Sequence, residues 1–262
     1  MIMWPFKKRI EYKEVAPAAA GTVLCIPGIW KDPEDVKNTI LLSSSGEYMV
    51  VGDILLSVKR ERHYKIVIMG RDDRVVQAFK QPGKTLVSDS CLTQIERHEF
   101  VVYVSGETGS LKEAENIAFA GAAVLKAGGC AIKIDPGGKA FEKNKWLGLI
   151  KTFEEADLYQ MFVDSMTDSK GSVWSCGMQN LGLKDTVVSG EEFQASVDLL
   201  SIFGYYQIFD KPIIFPNQTF QANSQSPAYK ITEELDPPDK DGGNHENPYG
   251  MWRLTRVQQT GA

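Results

Sequence analysis

The sequence is short of the side chains that hold metal ions, since its 262 residues include only three histidines and four cysteines. The cysteines are too far apart to form the paired Cys-x-x-Cys ligands of a zinc site: Cys25, Cys91, Cys130 and Cys176. We therefore expect no metal site. Widely spaced cysteines also suit a reducing compartment, which predicts four free thiols and a cytoplasmic location.

A surplus of positive charge is missing too. The chain carries 29 basic and 34 acidic residues and a net charge of −5, whereas neutralising nucleic-acid phosphates requires a dense basic surface. It has no run of about eighteen apolar residues to cross a membrane. Its first nine residues place apolar side chains before basic ones, the reverse of a secretory signal. We expect a soluble protein with neither nucleic-acid binding nor integral membrane association.

Sequence motifs of catalysis and cofactor binding are absent as well. The Gly-x-Ser-x-Gly of many hydrolases does not occur, nor do the glycine-rich loops that bind nucleotides. The Asp239-x-Asp241-Gly242 stretch has the acidic spacing of a calcium loop, but prolines stand at 237 and 248, where an EF-hand needs oxygen ligands. These absences predict no catalytic residue, no cofactor and no metal ligand.

Two glycine turns, residues 106–110 and 137–139, each follow an apolar run and precede a helical pattern. Backbone N–H groups at a helix N-terminus favour an anion there. A phosphate-bearing substrate at either turn is therefore one interpretation. The other, which we favour, is an ordinary tight turn, since Ser110 and Glu113 have the spacing of a capping box.

Short apolar runs alternate with helical patterns along the chain, which is typical of a protein with both helices and strands. Helices are predicted after Asp32-Pro33, after Ser110, over 140–153 and after the second capping box of Ser189 and Glu192, where Phe193 should be buried. Strands are predicted over 22–26, 48–58, 64–69, 100–104, 130–134, 159–163, 213–220, 228–233 and 249–257. We expect an α+β fold: a mixed, largely antiparallel sheet with about four helices packed on it.

The domain organisation is predicted from composition and from a repeated pattern. Residues 1–21 have the composition of a flexible N-terminal segment, followed by an N-terminal α/β half over 22–98 and a second half over 99–262, which contains an acidic loop at 234–248. Each half begins with a strand, a glycine turn, a helix, a glycine and a strand. The chain is either one domain or two similar halves. The repeated pattern is either an internal duplication or the order of elements that α/β units commonly share.

Three stretches carry a resemblance to a known family: residues 127–139 leading to Trp146, residues 175–185 (Ser-Cys-Gly-Met-Gln-Asn-Leu-Gly-Leu-Lys-Asp), and residues 249–254. They resemble the bacterial domain-of-unknown-function family 4261 over about residues 99–257. The resemblance implies no known activity. It implies a place among toxin–immunity or secretion-associated genes, and hence an immunity or adaptor protein whose partner is another protein, such as a toxin or effector.

These observations predict a non-catalytic protein-binding protein that neutralises a partner by covering its active site. Loops carry function and aromatic side chains anchor interfaces, which selects the candidate contact residues Trp174, Met178, Asp236, Asp239, Asp241 and Glu246. Two alternatives stay open. One is a hydrolase or transferase of unfamiliar type that acts on a phosphate-bearing substrate at one of the glycine turns. The other is a structural component of a larger assembly.

Overall fold

The computed structural model describes residues 20–80, 85–135, 137–235 and 247–257. In these ranges the chain forms two β-sheets flanked by helices. The strands are β1 (Ala20–Gly28), β2 (Tyr48–Val51), β3 (Ile54–Ser57), β4 (Arg62–Gly70), β5 (Thr85–Leu86), β6 (Phe100–Thr108), β7 (Ala131–Asp135), β8 (Ala140–Glu142), β9 (Asp164–Thr167), β10 (Val173–Cys176), β11 (Asp185–Val188), β12 (Thr219–Gln221), β13 (Ala228–Glu234) and β14 (Met251–Arg256). The helices are α1 (Pro33–Ser43), α2 (Arg74–Phe79), α3 (Asp89–Glu96), α4 (Leu111–Lys126), α5 (Lys143–Lys151), α6 (Glu155–Phe162) and α7 (Phe193–Phe209), with a 3-10 turn at Met178–Leu181.

The first sheet has the strand order β2-β3-β4-β6-β1-β7-β8-β5. Its four central strands belong to two β-α-β units, β1–α1–β4 and β6–α4–β7. The units are interleaved, because β4 pairs with β6 and β7 pairs with β1, while β1 and β6 pair with each other, all antiparallel. This is the split β-α-β topology of ferredoxin-like folds.

The repeated sequence pattern coincides with these two interleaved units. The hairpin β2–β3 is inserted between α1 and β4, so the counterpart of β7 is β4 rather than the strand that directly follows α1. The boundary predicted at 98/99 falls inside the first sheet, since β6 is hydrogen-bonded to both β1 and β4. Residues 22–98 and 99–262 therefore share one sheet.

Helices cover both faces of the first sheet. On one face lie α1, begun by the Asp32 N-cap, and α4, begun by the Ser110 N-cap. Alanines and Gly121 let α4 approach closely, since a side chain at 121 would meet Leu24 and Ile132. The fully buried Trp146 holds α5 against α4 by donating from Nε1 to the Ala118 carbonyl at 3.1 Å. The apolar side chains of α2 and α3 cover part of the opposite face.

The second sheet has the order β12-β13-β14-β11-β10-β9, and α7 packs on β10 and β11. All its pairs are antiparallel except β11 with β14. Its core is aromatic, with the rings of Phe203 and Phe220 edge to face at a centroid distance of 4.9 Å. No helix in the described ranges has the length and apolar content needed to cross a membrane.

A buried amide joins the two sheets. Asn180, in the 3-10 turn, is fully buried, and its Oδ1 accepts hydrogen bonds from the hydroxyls of Thr22 on β1 and Thr108 on β6. Its Nδ2 donates to the Gly177 carbonyl at 3.0 Å, and its own carbonyl accepts from the Gly109 N–H at 3.1 Å. The segment that leads from β10 to β11 is thereby fixed to the first sheet.

The predicted fold class is confirmed: helices pack on two largely antiparallel sheets. Several local predictions are wrong. Residues 48–58 form the two strands β2 and β3 rather than one strand, and residues 140–142 form β8 rather than the start of a helix. Residues 159–163 belong mostly to α6, where Leu158, Met161 and Phe162 are buried together at helical spacing. Of residues 213–220, only the end joins strand β12. The N-cap of α7 is Glu192 rather than Ser189. The Ser189 hydroxyl instead accepts a hydrogen bond from the Arg253 guanidinium at 3.0 Å.

Replacing Asn180 should weaken the whole fold. In Asn180→Ala the hydroxyls of Thr22 and Thr108 lose their common acceptor, and we expect the free energy of unfolding to fall by about 2 kcal/mol. Urea denaturation followed by tryptophan fluorescence measures the change. Asn144→Ala, at an exposed position of α5, is the control and should stay within about 0.5 kcal/mol of the wild type. Equal urea midpoints for Asn180→Ala and wild type would contradict this account.

Candidate functional site

The structure places the two predicted contact residues it describes in the interior. Trp174, on β10, is 6% exposed, and Met178, in the 3-10 turn that contacts the first sheet, is 1% exposed. A docking protein would not reach either side chain, so their role is in packing. The other four predicted contact residues, Asp236, Asp239, Asp241 and Glu246, lie outside the described residues, and their contact role stays a prediction.

A buried carboxylate organises this interior segment. Asp185 Oδ1 accepts from the Ser175 hydroxyl at 3.1 Å and from the Met178 N–H at 3.2 Å. Its Oδ2 accepts from Asn247 Nδ2 at 2.8 Å. The Ser175 hydroxyl also accepts from the Thr186 N–H. Asp185 therefore fixes the turn between β10 and β11 and connects it to the strand that follows residue 247.

Burial controls the ionisation of Asp185. Its removal from water raises the pKa to about 7, although hydrogen bonds from Asn247, the Met178 N–H and Ser175 act in the opposite direction. All three are donors and so fit the carboxylate better than the neutral acid. The group is a structural anchor that titrates near neutrality.

The histidines and Cys176 form no nucleophilic pair in the described residues. His98 is fully buried. Its Nε2 accepts from the Asp72 N–H at 3.2 Å, so Nδ1 carries the proton and donates to the Ile95 carbonyl at 2.6 Å. His63 is exposed on β4, and Cys176 is buried on β10. None of the four cysteines forms a disulfide, as predicted, and burial raises the pKa of Cys25, Cys91 and Cys130, which makes them poor nucleophiles.

The backbone of the first glycine turn, 106–110, is hydrogen-bonded within the protein. Residues as far as Thr108 belong to β6. Beyond them, Gly109 donates its N–H to the Asn180 carbonyl and accepts at 3.4 Å from the Tyr249 hydroxyl. Its positive φ of 112° is accessible to glycine. Gly109 therefore uses its N–H and carbonyl at the junction of the sheets, and the Ser110 hydroxyl caps α4. Both observations favour the structural interpretation of this turn over a phosphate site.

Lys139, at the end of the second glycine turn, borders an open cavity of about 280 Å³ with a mixed polar and apolar lining, which we call the Lys139 pocket. Five elements of the fold surround it: β8 and the turn before it, α5, α6, β9 and α7. Its walls thus come from both sides of the junction that Asn180 holds. The lining residues are Lys139, Phe141, Lys145, Tyr159, Gln160, Val163, Asp164, Ser165, Ser201 and Tyr205.

Lys139 is the group in this pocket that burial perturbs most clearly. Its Nζ donates to the carbonyl of Val163, the last turn of α6, at 2.6 Å, and lies 5.8 Å from the centroid of the Phe141 ring. Burial lowers the pKa of Lys139 to about 8, with a further lowering by Lys145 and an opposing effect of Asp164. Near pH 8 the Lys139 amine is therefore present in both its charged and its neutral form.

Hydroxyl and carboxyl groups line the remaining walls. Asp164 Oδ1 accepts from the Ser165 N–H at 2.9 Å, whereas Oδ2 is buried and has no hydrogen-bond partner among the described residues. The Tyr159 and Tyr205 rings lie 4.9 Å apart, and burial raises the pKa of Tyr159 to about 12. The pocket therefore contains two lysines, several hydroxyl groups and one unpartnered carboxylate oxygen. The rings of Phe141, Tyr159 and Tyr205 also line it, and we call them the aromatic floor.

These groups define what the pocket can bind. The described residues hold no cluster of three or more histidine, cysteine, aspartate or glutamate side chains suited to a metal ion. Ammonium and hydroxyl groups instead match the oxygens of a carboxylate or phosphate, and the aromatic floor suits a small apolar part of a ligand.

An exposed apolar surface lies beside the pocket, on the outer side of α7. We call Ile202, Tyr205, Phe209, Ile213 and Phe215 the α7 surface. Phe209 is 54% exposed and Ile213 is 78% exposed, while the Tyr205 and Phe209 rings stack at 6.0 Å. Ile202, Tyr205 and Phe209 follow one face of α7 at helical spacing, and an exposed apolar face of this kind marks an interaction site.

Sequence reasoning found the turn at Lys139 but not the pocket around it. Asp164, Ser165 and Tyr205 come from elements 25 to 66 residues further along the chain, and only the fold brings them together. The α7 surface did have a signal, because residues 193–209 are apolar around the whole helix. The sequence prediction had Phe193 buried, and this is wrong, since it is 56% exposed.

The basic residues that precede and begin β4 are used within the fold. Arg60 pairs with Glu115 at 2.8 Å and Arg62 pairs with Glu113 at 2.9 Å. Both glutamates lie on α4, so this cluster holds the helix over the sheet.

Comparison with known proteins adds no relative: no protein-family model, no curated protein and no solved structure matches the chain. The resemblance to the domain-of-unknown-function family 4261 stays a prediction. Any assignment of function to this chain therefore depends on the geometry of the described residues.

The ionisation of Asp185 predicts a pH-dependent stability. Because its folded pKa of about 7 exceeds the unfolded value of 3.8, its contribution is complete below pH 3.8 and is lost as the pH rises through 7. Relative to Asp185→Asn, which does not titrate, the wild type should lose about 2–3 kcal/mol of unfolding free energy between pH 5 and pH 8. Urea denaturation of both proteins across this range tests the prediction. A difference that stays constant with pH would show that Asp185 is ionised throughout.

Proposed function

We propose that this chain is a binding protein whose Lys139 pocket takes a small ligand carrying an oxyanion, a carboxylate or a phosphate. The observation that carries the proposal is the position of the Lys139 amine. It is largely withdrawn from water, and its nearest polar contact is the neutral carbonyl of Val163. Asp164 in the same pocket attracts this cation but forms no salt bridge with it among the described residues. A buried cation without a direct ion pair is unfavourable, and a bound oxyanion would supply that ion pair.

The other groups of the pocket support the same ligand class. Lys145 is exposed on α5 at the rim, where a second cation attracts an anion from solution and contributes less once it is bound. The hydroxyls of Ser165, Ser201 and Tyr205 supply further donors for oxyanion oxygens. The pocket volume of about 280 Å³ suits a small ligand.

This proposal keeps part of one interpretation of the sequence, the phosphate-bearing substrate at residues 137–139. It concerns binding and orientation of a ligand and claims no hydrolysis or group transfer. Two of the predicted contact residues, Trp174 and Met178, are buried and do not line this pocket.

Titration with inorganic phosphate tests the proposal. We expect the lysine ¹³Cε resonance of Lys139 to shift on binding, and Lys139→Met to raise the dissociation constant by about ten-fold or more. Lys145→Met, which removes a rim charge, should raise it only about three-fold. Lys151→Met is the matched control, since Lys151 is an exposed lysine at the other end of the same helix and outside the pocket.

Sulfate, which keeps its charge across the range, gives the pH arm of this experiment. Its affinity should fall as the pH rises through 8, because Lys139 loses its proton there. Phosphate that binds equally to wild type, Lys139→Met and Lys151→Met would contradict the proposal.

A second candidate function, protein binding, has its own supporting observation in the α7 surface. One face of α7 packs on the second sheet, yet the outer face of its C-terminal half is also apolar, and Ile213 and Phe215 extend it. Apolar side chains on both faces favour a helix covered on both sides. We propose a docking partner of a different kind from this chain, with a matching apolar surface. An immunity or adaptor role, which the family resemblance implies, would use this surface.

Site-specific photo-crosslinking tests this second proposal. Benzoylphenylalanine at position 209 should give a covalent adduct with the partner when the cells that naturally make the protein are irradiated. The same group at Gln194, on the polar half of the outer face of α7, should give none. An adduct with a second copy of the chain would instead favour a structural assembly, and no adduct at 209 would contradict docking.

A further inference from the structure

Lys139 has features that holding an anion does not require. Anion binding is strongest when an amine is fully charged and keeps three donors, whereas this amine is desolvated and shares its pocket with a second cation, Lys145. Asp164 opposes both effects without cancelling them, since the pKa of Lys139 still falls to about 8. Desolvation in an apolar pocket and proximity to a cation are the two ways in which proteins activate a lysine as a nucleophile. The aromatic floor provides the first, and Lys145 provides the second.

We propose that Lys139 is a nucleophile that forms a reversible imine with a small carbonyl compound bearing an oxyanion. The proposal rests on the oxyanion-binding function above and specifies the ligand further, as an oxo acid or a phosphorylated aldehyde or ketone. Inorganic phosphate is held chiefly by Lys139, whereas in the carbonyl ligand the oxyanion lies at the rim beside Lys145, which directs the carbonyl carbon toward Lys139 Nζ.

The step balances without an oxidant or a reductant. The lone pair of the neutral Nζ adds to the carbonyl carbon, and the π electrons move to the carbonyl oxygen. A proton then passes from nitrogen to that oxygen to give a carbinolamine. Loss of the hydroxyl with one further proton releases one water and leaves the C=N bond.

Asp164 is placed to carry these protons. Its Oδ2 is buried, has no hydrogen-bond partner among the described residues and belongs to the same pocket as Lys139. An unpartnered carboxylate oxygen accepts a proton from the attacking amine and returns it to the departing hydroxyl. The carbonyl of Val163 accepts one N–H of Lys139 at 2.6 Å, which fixes Nζ and leaves its lone pair available.

The ionisation of Lys139 separates it from the other lysines. A pKa of about 8 leaves about half of the amine neutral at pH 8, against less than about 1% for an ordinary lysine with a pKa near 10.4. The neutral form is the one that attacks a carbonyl.

Reductive trapping tests the proposal on the full chain. Pyridoxal 5′-phosphate, an aldehyde that carries a phosphate, is added in near-stoichiometric amount at pH 8. Borohydride then reduces any imine to a stable amine, and peptide mass mapping locates it. We expect Lys139 to be labelled about ten-fold more than the average of the other lysines, since the neutral fraction favours it. Pyridoxal without its phosphate should label it several-fold less, and Lys145→Met should lose this preference for the phosphorylated probe.

The outcomes separate the imine from the binding site. Lys139→Arg keeps the cation but forms no imine, so it should abolish the preferred adduct while retaining phosphate binding. Uniform labelling of all lysines, or an unlabelled Lys139 in a chain that still binds phosphate, overturns the imine and leaves the oxyanion site intact. Should Lys139→Arg not fold, the wild-type peptide map alone decides, because the other lysines serve as internal controls.

Discussion

The burial of one amide, Asn180, is the constraint on which the arrangement of the two sheets depends. Its four polar contacts reach β1, β6 and the turn before β11. A buried amide is favourable only when all its groups are hydrogen-bonded, so the two sheets can meet in few ways. The Lys139 pocket depends on that junction, since β8 and α5 form one wall and α6, β9 and α7 form the others. The site is thus a consequence of how the sheets are joined.

Two buried polar anchors have different electrostatic roles. Asn180 is neutral and satisfied at every pH, whereas Asp185 is a carboxylate that burial holds near its titration point. Both lie in the segment 175–185, one of the stretches that carry the family resemblance. Its small and polar residues are explained by a structural role, because Ser175, Gly177, Asn180 and Asp185 all take part in the hydrogen bonds that form the junction. Trp174 and Met178 fill the space around them.

Local features such as helix caps could be predicted from the sequence, whereas the pairing of distant strands could not. The caps Asp32 and Ser110 were predictable because a capping hydrogen bond joins residues three apart. The interleaving of β1–α1–β4 with β6–α4–β7 was not, since the pairing of β1 with β6 joins residues about eighty apart and leaves no mark on either strand. Lys139 was found through its turn. Asp164 and Tyr205 belong to elements whose position relative to Lys139 is set only by the junction of the sheets.

The charge of Lys139 is the main reason to propose that the pocket binds a ligand rather than serving only to stabilise the fold. A methionine there would fill similar space without the free-energy cost of removing an ammonium from water. The neutral carbonyl of Val163 and the attraction of Asp164 compensate only part of that cost, and the aromatic ring of Phe141 at 5.8 Å adds little. The fold therefore carries an amine that it does not need for packing. The proposed interaction with a ligand, by charge or by a covalent bond, would account for this cost.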